Sequence, residues 1–209
     1  MKNICIKICG FTIPDEAVAA AYEGVDAIGL VFAKSPRQVS LSGAADIVRV
    51  LPPLVQTVGV FVNESVDGVR RVVDECGIDM VQLHGDEDVS YCGQFPGRVI
   101  KAFRVRSHDD IEKMLPYEDV VRGFLLDAWA PDAAGGTGRR FDWSIALDAV
   151  ARLSRPVILA GGLTPENVRE AVETVSPWGV DASSGVEKSP GRKDIRKIGL
   201  LVKQLGRGG

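Results

Sequence analysis

A thiol, an imidazole and a carboxylate end three short apolar runs of this sequence. They belong to Cys9, His84 and Asp127. A thiol and a carboxyl group can serve as general base and general acid, a pairing that accelerates reactions by about 10²–10⁴-fold. Each residue also has an ordinary structural interpretation, because cysteines are often small buried apolar groups and aspartates often cap turns. The chemical hypothesis therefore depends on whether the fold brings the three together.

Two glycine- or serine-rich segments follow later apolar runs. One contains Gly161 and Gly162, and the other contains Asp181, Ser183 and Ser184. Glycines let backbone N–H groups approach a ligand closely, and a helix N-terminus attracts an anion. A Gly-Gly pair alone is often only a turn. Two such segments together predict a binding site for a phosphate group.

Eight short runs rich in Val and Ile alternate with segments of helical spacing. The runs are residues 4–9, 26–32, 56–62, 79–84, 99–104, 123–127, 156–160 and 178–183. The helical segments include 14–22, 66–76, 165–175 and 195–205, and prolines at 14 and 165 suit helix starts. Strict alternation indicates a parallel α/β fold. Eight units predict a single (β/α)8 TIM barrel over residues 1–209, with an open doubly wound sheet as the alternative.

A barrel would bring the candidate residues to one mouth. The carboxyl ends of its strands converge there, and side chains along each strand alternate between the interior and the helix layer. This alternation places Cys9, His84 and Asp127 inside. It also places Lys7 inside, where an ammonium group needs a carboxylate or polar partner.

Composition argues against several other classes of protein. The chain has 209 residues with 25 Lys and Arg, 28 Asp and Glu and a net charge of −3, which argues against a nucleic-acid binder or a polybasic membrane anchor. Its longest uncharged stretch, 50–63, is shorter than the roughly 20 residues of a spanning helix. Two histidines and no CxxC motif argue against a zinc site. We expect a cytoplasmic protein with reduced cysteines, and we interpret the basic residues of 188–197 as a solvated helix start.

A series of motifs runs in order along nearly the whole chain. They are KICG at 7–10, SPR at 35–37, VGVFVN at 58–63, VQLHG at 81–85, LD at 126–127, GGTG at 135–138, FDW at 141–143, the segments 160–168 and 181–187, and PGRKD at 190–194. The set resembles the phosphoribosylanthranilate isomerase family of tryptophan biosynthesis. Ala182 and Leu30 depart from residues usual in that family, but neither stands at an expected reacting group.

The resemblance implies a (β/α)8 enzyme without cofactor or metal. Its reaction would be the Amadori rearrangement of N-(5-phosphoribosyl)anthranilate to 1-(2-carboxyphenylamino)-1-deoxyribulose 5-phosphate. Asp127 would be the general acid that opens the furanose ring, and Cys9 the general base that removes the C2′ proton. The partner would be this phosphorylated small molecule, bound by a monomer or homodimer.

The resemblance also implies the binding residues. Arg37 would pair with the anthranilate carboxylate, for which a planar two-pronged donor is suited. His84 would make a substrate contact, and backbone amides of the glycine and serine segments would hold the phosphate. The expected substrate-binding residues are Arg37, His84, Gly161, Gly162, Asp181, Ser183 and Ser184.

Two other functions compete with this interpretation. The related sugar isomerase of histidine biosynthesis, or its dual-substrate version, shares the fold and reaction type but uses two aspartates. Cys9 at the first of those positions argues against it. A phosphate-binding barrel without catalysis would have lost Cys9 or Asp127, and both are present.

Overall fold

Eight parallel strands pair in sequence order, and the last pairs with the first, which closes a barrel. The structure, a computed structural model, describes residues 4–128 and 143–207, so the motif residues 135–138 and 141–142 lie outside the described residues. The strands are β1 (Cys5–Cys9), β2 (Ala27–Val31), β3 (Gln56–Phe61), β4 (Met80–Leu83), β5 (Val99–Val105), β6 (Gly123–Ala128), β7 (Val157–Ala160) and β8 (Gly179–Ala182). The predicted barrel is confirmed, and the open sheet is excluded.

Helices follow the strands on the outside of the barrel. In the described residues they are α1 (Pro14–Tyr22), α2 (Leu41–Val50), α3 (Val66–Cys76), α4 (Val89–Cys92), α5 (Trp143–Arg152), α6 (Val168–Val175) and α7 (Ile195–Gln204). The predicted bounds of α1 and α3 are confirmed, and α7 ends one residue before the predicted end. No helix in this part of the chain is long and apolar enough to span a membrane.

The predicted start of α6 at residue 165 is wrong, because the helix begins at Val168. The Asn167 side chain accepts a hydrogen bond from the Thr164 N–H at 2.8 Å and donates one to the Gly162 carbonyl at 2.9 Å. These bonds stabilise a turn within the loop after β7, and this turn stands where the first helical residues were predicted. Asparagine often stabilises turns through such side-chain bonds.

A small antiparallel hairpin follows β8 and was absent from the sequence prediction. It consists of β9 (Glu187–Ser189) and β10 (Arg192–Lys193). The interpretation of residues 188–197 as a solvated helix start is therefore wrong for its first half, and Lys193 has an exposed fraction of 0%. Helix α7 begins only after Asp194, whose carboxylate accepts hydrogen bonds from two N–H groups of the first turn.

The apolar side chains form two layers, as strand alternation predicts. Ile6, Ile8, Leu83 and Phe124 are fully buried between the strands and the helices. A smaller cluster fills the barrel interior; its members are Ala27, Val58, Ile100, Ala102, Leu125, Ile158 and Ala160. The interior also holds polar side chains near the carboxyl ends of the strands, and these form the site.

Candidate active site

A cleft of about 390 Å³ opens at the carboxyl ends of the strands. All nine residues that the sequence predicted for the site line this cleft: Cys9, Arg37, His84, Asp127, Gly161, Gly162, Asp181, Ser183 and Ser184. The convergence expected from the barrel is therefore present in the structure. Lys34, Gln82 and Arg104 also line the cleft but were not among the predicted residues.

The backbone of Cys9 is held on two sides. Its carbonyl accepts hydrogen bonds from the Ser183 hydroxyl at 3.0 Å and from the Lys193 ammonium at 2.5 Å. On β2, Gly29 is its register neighbour, where a Cβ would lie 2.9 Å from both the Cα and the Sγ of Cys9. Only a glycine therefore leaves room for the thiol at this position.

Two lysines act on the charge state of the Cys9 thiol. Lys7 lies two residues earlier on the same inward face and forms an ion pair with Asp181 at 2.8 Å. The expected carboxylate partner of Lys7 is thus Asp181. Burial raises the pKa of Cys9 above its usual value, although the charges of Lys7 and Lys193 act to lower it. The resting thiol is therefore protonated at neutral pH.

Asp181 is the counterion at the base of the cleft. Burial raises the pKa of this carboxyl group, while the charge and hydrogen bond of Lys7 oppose the rise. Its Oδ2 atom accepts from Lys7, whereas Oδ1 has no hydrogen-bond partner among the described residues. A buried oxygen of this kind can accept a hydrogen bond from a bound ligand.

Asp127 and His84 face each other across the mouth. The Nε2 atom of His84 lies 3.3 Å from Oδ2 of Asp127, in an orientation that makes no hydrogen bond. The Gln82 amide nitrogen lies 3.1 Å from Nδ1 of the same ring. With the amide donating, Nδ1 is the acceptor and Nε2 carries the proton on the side of Asp127.

Arg37 already has a carboxylate partner within the protein. Its Nε and Nη2 atoms donate to the two Glu187 oxygens at 2.8 and 2.7 Å. One edge of the guanidinium is thereby occupied, so a substrate carboxylate can pair only with the remaining Nη1–Nη2 edge. The hydrogen bonds to Glu187 raise the pKa of Arg37, which keeps its charge fixed.

The two glycine- and serine-rich loops meet closely. Gly161 and Gly162 have φ angles of +86° and +66°, which glycine adopts readily and other residues adopt at a cost. After β8, a Cβ at Gly185 would lie 2.0 Å from the Leu163 carbonyl oxygen. The backbones of the two loops are therefore in direct contact, as a shared anion site requires.

A second buried ion pair organises the loop that carries His84. The Lys101 ammonium lies 3.0 Å from Glu87, and both side chains are 2% exposed. Glu87 accepts hydrogen bonds from the N–H groups of Asn63 and Gly85, and Lys101 donates to the Gly85 carbonyl. Sequence reasoning missed this pair because Lys101 lies in the middle of an apolar run.

Arg104 could have been found from the sequence. It ends the predicted run 99–104, and on β5 it is the register neighbour of Asp127. The alternation that placed Asp127 inside therefore applies equally to Arg104. Its exposed guanidinium adds a cation to the mouth.

Comparison with known proteins gives the family. The family profile described as "N-(5'phosphoribosyl)anthranilate (PRA) isomerase" matches residues 6–204. The chain belongs to the PRA isomerase family. A PRA isomerase of Citrifermentans bemidjiense is 50% identical over 198 residues, which cover 94% of each protein. The resemblance predicted from the motifs and the enzyme class are confirmed.

Solved PRA isomerase structures share the whole fold. The enzyme from Thermotoga maritima superposes with a TM-score of 0.89 at 41% identity, covering 97% of this chain and 98% of that one. Another solved PRA isomerase, in complex with reduced 1-(o-carboxyphenylamino)-1-deoxyribulose 5-phosphate, gives 0.85 at 39% identity over the same shares. One further structure consists of monomers generated from the dimeric T. maritima enzyme.

Proposed function

We propose that this PRA isomerase family member rearranges N-(5-phosphoribosyl)anthranilate with Cys9 as general base and Asp127 as general acid. The observation that carries the proposal is their arrangement: both line one cleft, together with the two glycine- and serine-rich loops. A relative that binds a reduced phosphorylated product supports the choice of substrate.

The first step opens the ribose ring. The Asp127 carboxyl group gives its proton to the ring oxygen, the C1′–O bond breaks, and the anthranilate nitrogen lone pair forms a C1′=N iminium. His84 lies 3.3 Å from Asp127 and stabilises the carboxylate that results. Its role is thus to support the acid, which goes beyond the substrate contact expected from the sequence.

The second step moves a proton from carbon. The Cys9 thiol first releases its proton to solvent; the thiolate then takes the C2′ proton, the C–H electrons form C1′=C2′, and the iminium nitrogen regains its lone pair. The resulting enolamine becomes the ketone when O2′ loses a proton and C1′ gains one. Because burial raises the pKa of Cys9, the thiolate needs the neighbouring positive charges of Lys7, Lys193 and the iminium itself.

The ends of the substrate are held by separate groups. The free Nη1–Nη2 edge of Arg37 binds the anthranilate carboxylate. The phosphate binds to backbone N–H groups of the loops around Gly162 and Ser184, and the Ser183 side chain takes no part because it holds Cys9. Oδ1 of Asp181, which has no hydrogen-bond partner in the part of the chain that the structure describes, accepts a hydrogen bond from a ribose hydroxyl.

The cellular setting follows from the same chemistry. A thiol base needs a compartment in which cysteines stay reduced, so we place the reaction in the cytoplasm. All four cysteines are free in the structure. The groups named above belong to one chain, which allows either a monomer or a homodimer to act.

Growth and substrate choice test the proposed function. Expression of the chain should restore growth without tryptophan to a strain that lacks its own PRA isomerase. The purified protein should consume N-(5-phosphoribosyl)anthranilate and leave the phosphoribosyl substrate of histidine biosynthesis unchanged. Conversion of the histidine-pathway substrate alone, or of neither, would contradict the proposal.

A further inference from the structure

We infer that Glu187 and Lys193 are positioning residues that hold Arg37 in the orientation needed to bind the substrate carboxylate, and that they tie it to the backbone of Cys9. The inference rests on the proposed function and deepens it. It is carried by a three-charge cluster in which the buried Glu187 carboxylate is shared by two cations, the buried Lys193 and the partly exposed Arg37.

Glu187 is almost completely satisfied by this cluster. Arg37 donates to both of its oxygens at 2.8 and 2.7 Å, Lys193 donates at 2.8 Å and the Gly191 N–H at 3.2 Å. The Glu187 side chain is only 4% exposed. Burial alone would raise its pKa, but the hydrogen bonds of Arg37 and Lys193 lower it, so the carboxylate stays charged.

The two parallel hydrogen bonds from Arg37 to Glu187 fix the plane of the Arg37 guanidinium. An arginine side chain otherwise samples many rotamers, and their loss on binding reduces affinity. The stem of Arg37 also packs closely over Gly10, where a Cβ would lie 2.6 Å from its Cδ. The side chain is therefore held before substrate arrives, with the Nη1–Nη2 edge left for the carboxylate.

Lys193 connects this cluster to the base. Its ammonium donates to Glu187 and, at 2.5 Å, to the Cys9 carbonyl, and it lies 5.5 Å from the centre of the Phe11 ring. One buried side chain thus spans the distance between the carboxylate site and the reacting thiol. A shift of Glu187 would therefore disturb both the Arg37 guanidinium and, through Lys193, the contact with the Cys9 carbonyl.

A purely structural role makes a different prediction. If the cluster only holds the hairpin β9–β10 in place, its loss should weaken all ligands equally. If it positions Arg37, its loss should weaken only ligands that carry the carboxylate. The two roles therefore differ in a ratio of affinities, which does not depend on turnover.

The test compares two ligands by calorimetry in wild type and Glu187→Gln. The ligands are the reduced product and its anilino analogue without the carboxylate. We expect Glu187→Gln to bind the reduced product ~10-fold more weakly and the analogue within about twofold of wild type. Lys188→Met, which removes an exposed cation of the same hairpin, should change neither affinity. An equal loss for both ligands, or no loss for either, would overturn the inference.

A double variant and a conservative variant complete the test. Once Arg37→Ala has removed the carboxylate contact, adding Glu187→Gln should weaken reduced-product binding no further, whereas a structural role would add its own loss. Should Glu187→Gln fail to fold, Glu187→Asp keeps the charge and withdraws the oxygens, and the same selective loss is expected. Failure of the proposed function would look different, because wild type would then bind neither ligand.

Discussion

At the scale of single residues, the thiol of Cys9 is subject to opposing influences. Burial disfavours the thiolate, while Lys7 beneath it and Lys193 behind it favour the thiolate. Burial is the larger effect, so the free enzyme holds mostly thiol at neutral pH. As long as the pH stays below the pKa of Cys9, each unit by which the pH is raised increases the thiolate fraction about tenfold. The base therefore becomes effective when the positive iminium of the substrate forms beside it.

This balance predicts the reactivity of Cys9 towards iodoacetamide. The alkylation rate, followed for the Cys9 peptide by mass spectrometry, should rise about tenfold per pH unit from pH 7 to 9 without levelling off. Lys7→Met should slow alkylation at pH 8 by about threefold or more, because the cation that stabilises the thiolate is gone. The exposed Lys188→Met is the control. A plateau below pH 8 in wild type would show that the pKa of Cys9 is not raised.

At the scale of elements, the site depends on close contact between the loops after β7 and β8. Gly185→Ala would place a methyl carbon 2.0 Å from the Leu163 carbonyl oxygen, so one of the two loops must move. We expect this variant to bind inorganic phosphate and the reduced product ~10-fold more weakly. Gly93→Ala, whose added carbon has no neighbour nearer than 3.4 Å, is the control. Unchanged phosphate affinity in Gly185→Ala would remove these loops from the phosphate site.

Strand alternation made the inward positions of Cys9, His84 and Asp127 predictable, whereas the binding residues followed from the glycine- and serine-rich segments and the family resemblance. Side chains along a strand alternate with a period of two residues, so the inward position of Asp127 follows from the apolar run 123–127 alone. The partner of Arg37 did not follow, because Glu187 is 150 residues away and pairs with it only in the folded barrel. The start of α6 was missed because the Asn167 side chain closes a turn within the loop. The first position was decided by a contact between distant segments, and the second by side-chain hydrogen bonds within one loop.

At the scale of the whole molecule, buried ion pairs support the upper rim of the barrel. Lys101 and Glu87 are both 2% exposed and lie 3.0 Å apart. Lys101→Met would leave an unpaired buried carboxylate and should lower the free energy of unfolding by about 3–5 kcal/mol in urea titrations. The double variant Lys101→Met with Glu87→Gln removes the buried charge, and its amide oxygen can still accept from the N–H of Asn63 or Gly85, so it should recover part of this loss. A loss below about 1 kcal/mol in the single variant would show that Glu87 finds other compensation.

The central claim is that Cys9 and Asp127 transfer the protons of the isomerisation. Its most direct test is steady-state turnover of Cys9→Ser and Asp127→Asn with N-(5-phosphoribosyl)anthranilate, beside calorimetric binding of the reduced product. Serine is a far weaker base of similar size, and asparagine keeps the shape but delivers no proton. Each variant should therefore lose about 10²–10⁴-fold in kcat while binding the reduced product with nearly wild-type affinity. Turnover within about tenfold of wild type in either variant would contradict the role of that residue.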